Sequence, residues 1–131
     1  MSRSAPVLQH VDVRVRERAK ARTFYDAVLE PLGLRPYEGK EFTSYDPDPD
    51  APAISSTWFG FTEDAQMVAG SVRISFGADS RELVDRVAEA ARRAGALNVE
   101  GPGLEPDYTP AYYAVFFEDP DGNKLEVCCL A

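Results

Sequence analysis

The sequence predicts an α+β fold in which two βαβββ modules follow one another within a single domain. Two observations support this prediction: a strand-like alternation followed by a helical apolar stripe occurs twice, and the second occurrence lies 63 residues after the first. His10 of the first strand thus corresponds to Arg73, and the stripe positions show the same offset. A chain of 131 residues has the usual size of one domain. We place module one at about 6–62 and module two at about 71–130.

Module one begins with the segment Val7–Val15, in which valines alternate with other side chains as they do in a strand with one face on the core. A helix is predicted next because apolar residues recur at helical spacing. They are Ala21, Phe24, Tyr25, Val28, Leu29 and Leu32. Gly33 is predicted to end the helix, since glycine readily adopts the left-handed backbone of a helix C-terminus. Three further strands are predicted at 34–37, 41–45 and 53–61.

Module two repeats this order. The alternating segment Ser71–Phe76 predicts its first strand. The second helix is predicted to open at Asp79, with Glu82 as its capping-box partner, and to end near Gly95. Its apolar stripe is Val84, Val87, Ala88 and Ala91. Strands are predicted at 97–99, 111–118 and 123–129, and the last two are joined by a type I turn at 119–122.

A βαβββ unit leaves one sheet face that its own helix does not cover. Pairing two such units is therefore predicted to give a curved mixed sheet with the helices outside and a concave cleft inside. Concave clefts are where small-molecule sites usually form. The repeat itself thus directs the search for function to the space between the modules.

Composition excludes several classes of partner. The net charge is −8 and no stripe of lysine and arginine is present, so a nucleic-acid backbone would be repelled. The longest apolar run, Ala111–Phe117, is far shorter than the roughly 20 residues of a membrane helix. The polar segment 1–6 has no apolar stretch typical of a secretion signal, so we expect a cytoplasmic protein. Cys128 and Cys129 are adjacent and are expected to remain reduced.

Three segments of the chain resemble one known family. They are Leu8–Val11, Thr23–Leu34 and above all Tyr112–Val127, in which an aromatic strand, an Asp-Pro-Asp-Gly turn and a Leu-Glu strand follow one another. With two βαβββ modules, this pattern resembles the vicinal oxygen chelate superfamily of glyoxalase I, the bleomycin-resistance proteins and the extradiol dioxygenases. The resemblance implies a small-molecule ligand in the inter-module cleft, and it implies a homodimer.

The resemblance also implies a set of metal ligands, and this chain departs from that set. His10 in the first strand and Glu126 in the last strand match the family's ligands, but Arg73 and Thr109 stand where histidines are usual. Two protein ligands make a weak site. A guanidinium about 4 Å from a divalent ion would be repelled by about 8 kcal/mol at an effective dielectric constant near 20. We therefore expect no metal cofactor, and a divalent metal held by His10 and Glu126 is the alternative.

Without a metal, the same residues are expected to form another arrangement. Arg73 and Glu126 are predicted to pair across the cleft with His10 beside them, so that Arg73 can receive a carboxylate or phosphate of a ligand. The alternative is that the two form only an internal ion pair. His10 and Glu126 are the candidate catalytic residues. His10 would act as a general base or, alternatively, as a hydrogen-bonded residue of the cleft wall.

Aromatic side chains complete the predicted ligand site. Trp58 offers stacking surface, and Tyr108 and Tyr113 offer phenol groups that could line the cleft. Because neighbouring strand residues point to opposite faces, only one of Tyr112 and Tyr113 can face the cleft, and Tyr113 is our candidate.

These observations predict a protein that binds a small organic molecule between its modules without a catalytic metal. The alternative is a lyase, isomerase or dioxygenase that depends on a divalent metal and uses His10 and Glu126.

Overall fold

The computed structural model of the protein describes residues 5–47 and 57–131. Module one contains β1 (His10–Val15), α1 (Arg18–Leu29), β2 (Arg35–Glu38), β3 (Phe42–Asp46) and β4 (Trp58–Glu63). Module two contains β5 (Arg73–Gly77), α2 (Arg81–Arg93), β6 (Leu97–Leu104), β7 (Tyr113–Glu118) and β8 (Lys124–Cys129). A short 3-10 helix, Glu30–Leu32, follows α1 directly.

Each module forms a four-stranded sheet, and the two sheets have the same topology. The strand orders are β1-β4-β3-β2 and β5-β8-β7-β6. In both sheets the first strand of the module runs parallel to the last, and the other pairs are antiparallel. The predicted α+β fold of two βαβββ modules is therefore confirmed, with the strands divided between two sheets.

Several element boundaries differ from the predicted ones. The first strand was predicted to begin at Val7, but β1 begins at His10 and Val7 is 81% exposed. The N-cap of α2 is Ser80 rather than Asp79, because the Ser80 side chain accepts a hydrogen bond from the Leu83 backbone N–H at 3.1 Å. Gly33 ends the first helical segment with a φ of 83°, as predicted. Positions 53–56 of the predicted fourth strand and residues 1–4 lie outside the described residues.

The core lies between the helices and the sheet faces that they cover. The buried residues of α1 and α2 are the predicted stripes apart from Leu32, which lies beyond α1 and is partly buried. They form one cluster with residues from both sheets, so the modules share a core. Phe59 of β4 meets Phe76 of β5 edge to face, with ring centroids 5.2 Å apart. Among the described residues, no helix has the length and apolarity needed to cross a membrane.

A buried hydrogen bond joins the two modules. The hydroxyl of Tyr25 on α1 donates to Asp119 in the β7–β8 turn at 2.6 Å, and the two residues are 0% and 1% exposed. The Asp119 carboxylate also accepts from the backbone N–H groups of Asp121 and Asn123 and from the Asn123 side chain. Burial and the neighbouring Asp119 charge raise the pKa of Tyr25 well above its ordinary value, so the phenol remains a donor.

The Tyr25→Phe variant should lower the free energy of unfolding by about 2 kcal/mol, because a buried carboxylate loses one of its donors. Urea denaturation measures this loss. Tyr108→Phe is the matched control, since Tyr108 is 60% exposed, and it should change stability by less than about 0.5 kcal/mol. Equal stabilities for the two variants would contradict the structural role of the bond.

Candidate functional site

A cavity of about 230 Å³ lies between the two modules. Its lining from module one comes from β1, β4 and their flanks, with Tyr45 of β3 and Leu34 before β2. Its lining from module two comes from three consecutive residues of β5. The lining residues are Leu8, His10, Val11, Leu34, Tyr45, Thr57, Trp58, Phe59, Ile74, Ser75 and Phe76. Most of these side chains are apolar, with a few polar groups, which is the usual composition of a small-molecule pocket.

His10 and Trp58 form one wall of the cavity. The two residues are partners in the parallel β1–β4 register, and their rings stack with centroids 4.2 Å apart and planes parallel. One ring nitrogen, Nδ1 of His10, shares a hydrogen bond of 2.6 Å with the Gln9 side chain. Two of the predicted site residues are thus brought together at the predicted cleft.

Glu126 lies on the corresponding face of module two. It is 4% exposed, and its carboxylate accepts a hydrogen bond from the hydroxyl of Tyr112. Its register partners are Ser75 on β5 and Phe116 on β7. In the part of the chain that the structure describes, no hydrogen bond or salt bridge joins Glu126 to His10.

Arg73 does not form the predicted ion pair with Glu126. Its Nη1 donates to the backbone carbonyl of Leu125 at 2.8 Å, and its guanidinium lies over the Phe116 ring, 5.1 Å from the centroid. The physical reason is the strand register: Lys124 is opposite Arg73, whereas Ser75 is opposite Glu126. Arg73 remains an exposed cation on the same face of the sheet as Glu126.

The tyrosines divide between the two faces of module two. Tyr112 reaches Glu126, and Tyr108 stacks on Tyr112 with centroids 4.6 Å apart. Tyr113 lies on the helix side, where its hydroxyl donates to Asp85 of α2 at 2.6 Å and Arg81 covers its ring. The geometry thus assigns the cleft face to Tyr112 rather than Tyr113. The alternation contains this signal, because Val115 and Phe117 are core residues and share their face with Tyr113.

Sequence reasoning also missed two groups beside Glu126. Ser75 lines the cavity, and its hydroxyl bonds to the Cys128 thiol at 3.3 Å. Burial raises the pKa of Tyr112 above its ordinary range, and hydrogen bonds to Cys128 and Glu126 raise it further. Cys128 and Cys129 are both free thiols, with Cys129 buried and Cys128 half-buried on the Glu126 face. Free cysteines were predicted, but the position of Cys128 depends on the β5–β8 pairing.

The two sheets can be compared position by position because they share one topology. Asp12 on β1 and Ser75 on β5 are equivalent positions of the repeat. Asp12 pairs with Gly60 and Ser75 pairs with Glu126, so Gly60 is the counterpart of Glu126 in module one. A Cβ atom at position 60 would lie 2.7 Å from the Thr43 carbonyl oxygen and 2.8 Å from the Trp58 ring. No side chain fits there without a rearrangement, so the module-one counterpart cannot supply a carboxylate.

The described side chains around Glu126 lack the set of ligands that a divalent metal needs. In residues 5–47 and 57–131, no group of three or more histidine, cysteine and carboxylate side chains is placed to hold a metal ion. Glu126 is bonded to a phenol, its strand neighbour is Ser75, and the nearby Arg73 is permanently positive. A three-ligand site does not fit these residues.

Comparison with known families agrees with the repeat and its topology. The family model for the Glyoxalase/Bleomycin resistance protein/Dioxygenase superfamily matches residues 7–127. The chain belongs to this superfamily. Comparison with curated protein sequences gave no match.

Several solved structures are similar to nearly the whole chain. A glyoxalase/bleomycin resistance protein from Albidiferax ferrireducens is 28% identical, with a TM-score of 0.79 and coverage of 95% of this chain and 98% of that one. A glyoxalase/bleomycin resistance protein/dioxygenase family enzyme from Burkholderia phytofirmans is 20% identical, with a TM-score of 0.70 and coverage of 95% of this chain and 98% of that one. The fosfomycin resistance protein FosX from Listeria monocytogenes is 16% identical, with a TM-score of 0.66 and coverage of 95% and 93%. At 20% and 16% identity, the last two show the shared fold alone.

The hydroxyl of Tyr112 should stay protonated at pH 10, where an ordinary tyrosine is half ionised. The absorbance difference at 295 nm between the wild type and Tyr112→Phe should therefore be negligible at pH 10. In the Glu126→Gln variant Tyr112 should ionise at a lower pH than in the wild type, because the carboxylate charge no longer opposes the phenolate. Circular dichroism at each pH checks that the proteins remain folded. If Tyr112 ionises at the same pH in Glu126→Gln and in the wild type, the Glu126 carboxylate does not raise the pKa of Tyr112.

Proposed function

We propose that this protein binds a small organic molecule in the cavity between its modules and does so without a catalytic metal. The observation that carries the proposal is the cavity itself, since both modules contribute to its mostly apolar lining and His10 and Trp58 form a stacked wall. The volume of about 230 Å³ suits a small ligand with few polar groups. Apolar burial would supply most of the affinity, and His10 and Ser75 would orient the ligand.

The residues at the positions where metal ligands would be needed support a site without a metal. Arg73, Gly60 and Ser75 occupy positions that give no metal ligand, and Tyr112 holds the Glu126 carboxylate. His10 and Glu126 are then a polar wall residue and a buried acceptor, not two metal ligands. The alternative is a lyase, isomerase or dioxygenase that binds a divalent metal through His10 and Glu126.

Assembly and location are part of the same proposal. Members of the superfamily often form dimers, and we propose a homodimer here. Strands β1 and β5 each pair with only one other strand among the described residues, and Leu8 and Val72 near them are 74% and 76% exposed. Such half-paired edges and exposed apolar side chains suit burial against a second copy. We also propose that the protein is cytoplasmic and contacts neither membrane nor nucleic acid.

The variant Ile74→Phe should weaken ligand binding at least tenfold, because the larger ring fills part of the cavity that Ile74 lines. A thermal-shift screen of metabolites and antibiotics, with and without a chelator, identifies the ligand, and calorimetry then compares the variants. Val68→Phe is the matched control, since Val68 is 88% exposed and lies outside the cavity lining.

Two results would overturn this proposal. One is a ligand whose affinity is the same in the wild type and in Ile74→Phe. The other is stoichiometric zinc, nickel, manganese or iron in protein purified without chelator that is lost in Glu126→Ala, which would favour the metal-dependent alternative.

Arg73 gives the proposed site a preference among ligands. Its guanidinium uses one nitrogen for Leu125 and lies over the ring of Phe116. Phe116 is the register partner of Glu126, whose carboxylate is bonded to Tyr112, and Tyr108 stacks on Tyr112. We propose that Arg73, Tyr108 and Tyr112 receive an acidic group of the ligand. Tyr113 is not included, since its hydroxyl is bonded to Asp85 on the helix side.

Replacing Arg73 by methionine should weaken an acidic ligand by about tenfold or more, because a charge-assisted hydrogen bond contributes roughly 1.5–3 kcal/mol. The affinity of a neutral ligand of the same shape should be unchanged. Calorimetric titration with both ligands measures the difference. Equal losses for the acidic and the neutral ligand would show that Arg73 acts through the fold rather than through its charge.

A further inference from the structure

The face of the module-one sheet that points away from α1 carries four aromatic rings in a row. Each strand contributes one ring, in the spatial order of the sheet: His10 from β1, Trp58 from β4, Phe42 from β3 and Tyr37 from β2. Successive centroids are 4.2, 6.2 and 6.0 Å apart. We call these four side chains the aromatic row.

Two glycines make room for the aromatic row. A Cβ atom at Gly60 would lie 2.8 Å from the Trp58 ring, and one at Gly39 would lie 2.6 Å from the Phe42 ring. Real side chains do not tolerate such distances, so these two rings occupy the space that any larger residue would need. The sheet is thus built to accept both rings on a face that the core does not use.

The aromatic row is exposed to solvent and continuous with the cavity. Tyr37 is 58% exposed and Phe42 is 39% exposed, while His10 and Trp58 belong to the cavity wall. A ligand held in the cavity can therefore extend over Trp58 onto Phe42 without leaving aromatic surface. Phe42 and Tyr37 are outside the cavity lining, so their contribution can be separated from that of the cavity.

We propose that the aromatic row binds a planar aromatic ring system of at least two fused rings. The proposal rests on the proposed function, because Trp58 and His10 belong to both sites. Aromatic rings attract one another in offset-stacked and edge-to-face arrangements beyond the effect of buried area alone, whereas a saturated ring gains only the area effect. The four rings therefore distinguish a flat aromatic ligand from a puckered one of equal size.

The exposed area favours a small molecule over a second copy of the chain. Since an aromatic side chain can bury 150–250 Å², four partly buried ones offer on the order of 300 Å². A stable protein interface needs about 800 Å² from each partner. The aromatic row alone is too small for such an interface, but it matches one face of a fused-ring molecule.

Calorimetric titration with 2-naphthol and with decahydro-2-naphthol tests the proposal, because the two probes share a skeleton and a hydroxyl group and differ in planarity. We expect 2-naphthol to bind about tenfold more tightly. Tyr37→Leu and Phe42→Leu should each weaken 2-naphthol by about three- to tenfold and leave decahydro-2-naphthol unchanged. Leu97→Ala, which removes an apolar side chain that is 43% exposed on module two, should change neither affinity. Thermal melting confirms that each variant is folded.

The variant Ile74→Phe separates failure of this inference from failure of the proposed function. If Ile74→Phe abolishes binding of both probes while Tyr37→Leu and Phe42→Leu have no effect, the cavity is retained and the aromatic row is rejected. If Tyr37→Leu and Phe42→Leu weaken 2-naphthol and Ile74→Phe does not, the aromatic row is supported and the cavity is rejected. Equal affinities of the two probes, or no binding of either, would overturn the inference. So would light scattering that shows Tyr37→Leu dissociating a dimer.

Discussion

The buried hydrogen bond between Tyr25 and Asp119 is the interaction on which the arrangement of the two modules depends. A carboxylate that is 1% exposed is costly unless every donor around it is in place, and one of those donors comes from the other module. The bond therefore holds α1 of module one against the β7–β8 turn of module two. The surface pair of Arg16 and Asp121, at 3.1 Å, lies beside it.

The duplicated topology carries different chemistry in its two halves. Equivalent positions hold His10 and Arg73 in the first strands, and Gly60 and Glu126 in the last strands. The glycine leaves space for the Trp58 ring, so the module-one face is aromatic. The glutamate is bonded to a phenol, so the module-two face is polar and hydrogen-bonded. A ligand between the modules would meet one half that favours stacking and one half that favours polar groups.

Local periodicity was enough to predict the two modules and the faces of their strands. The alternation in β1 placed His10 on the face opposite Val11 and Val13, and the structure confirms this, because side-chain direction in a strand depends only on parity. The same rule placed one of Tyr112 and Tyr113 in the cleft. Choosing Tyr113 was an error of parity, since Val115 and Phe117 already marked its face as the helix side.

The sequence by itself determined the repeat, the helical stripes and the faces of the strands, since these follow from periods of 3.6 and 2 residues along the chain. Only the tertiary structure decided which side chains meet across strands. The β5–β8 register places Ser75 rather than Arg73 opposite Glu126, and the path of the chain before β7 brings Tyr112 to that carboxylate. Register and module separation result from long-range contacts, such as that of Tyr25 with Asp119, which no local pattern encodes.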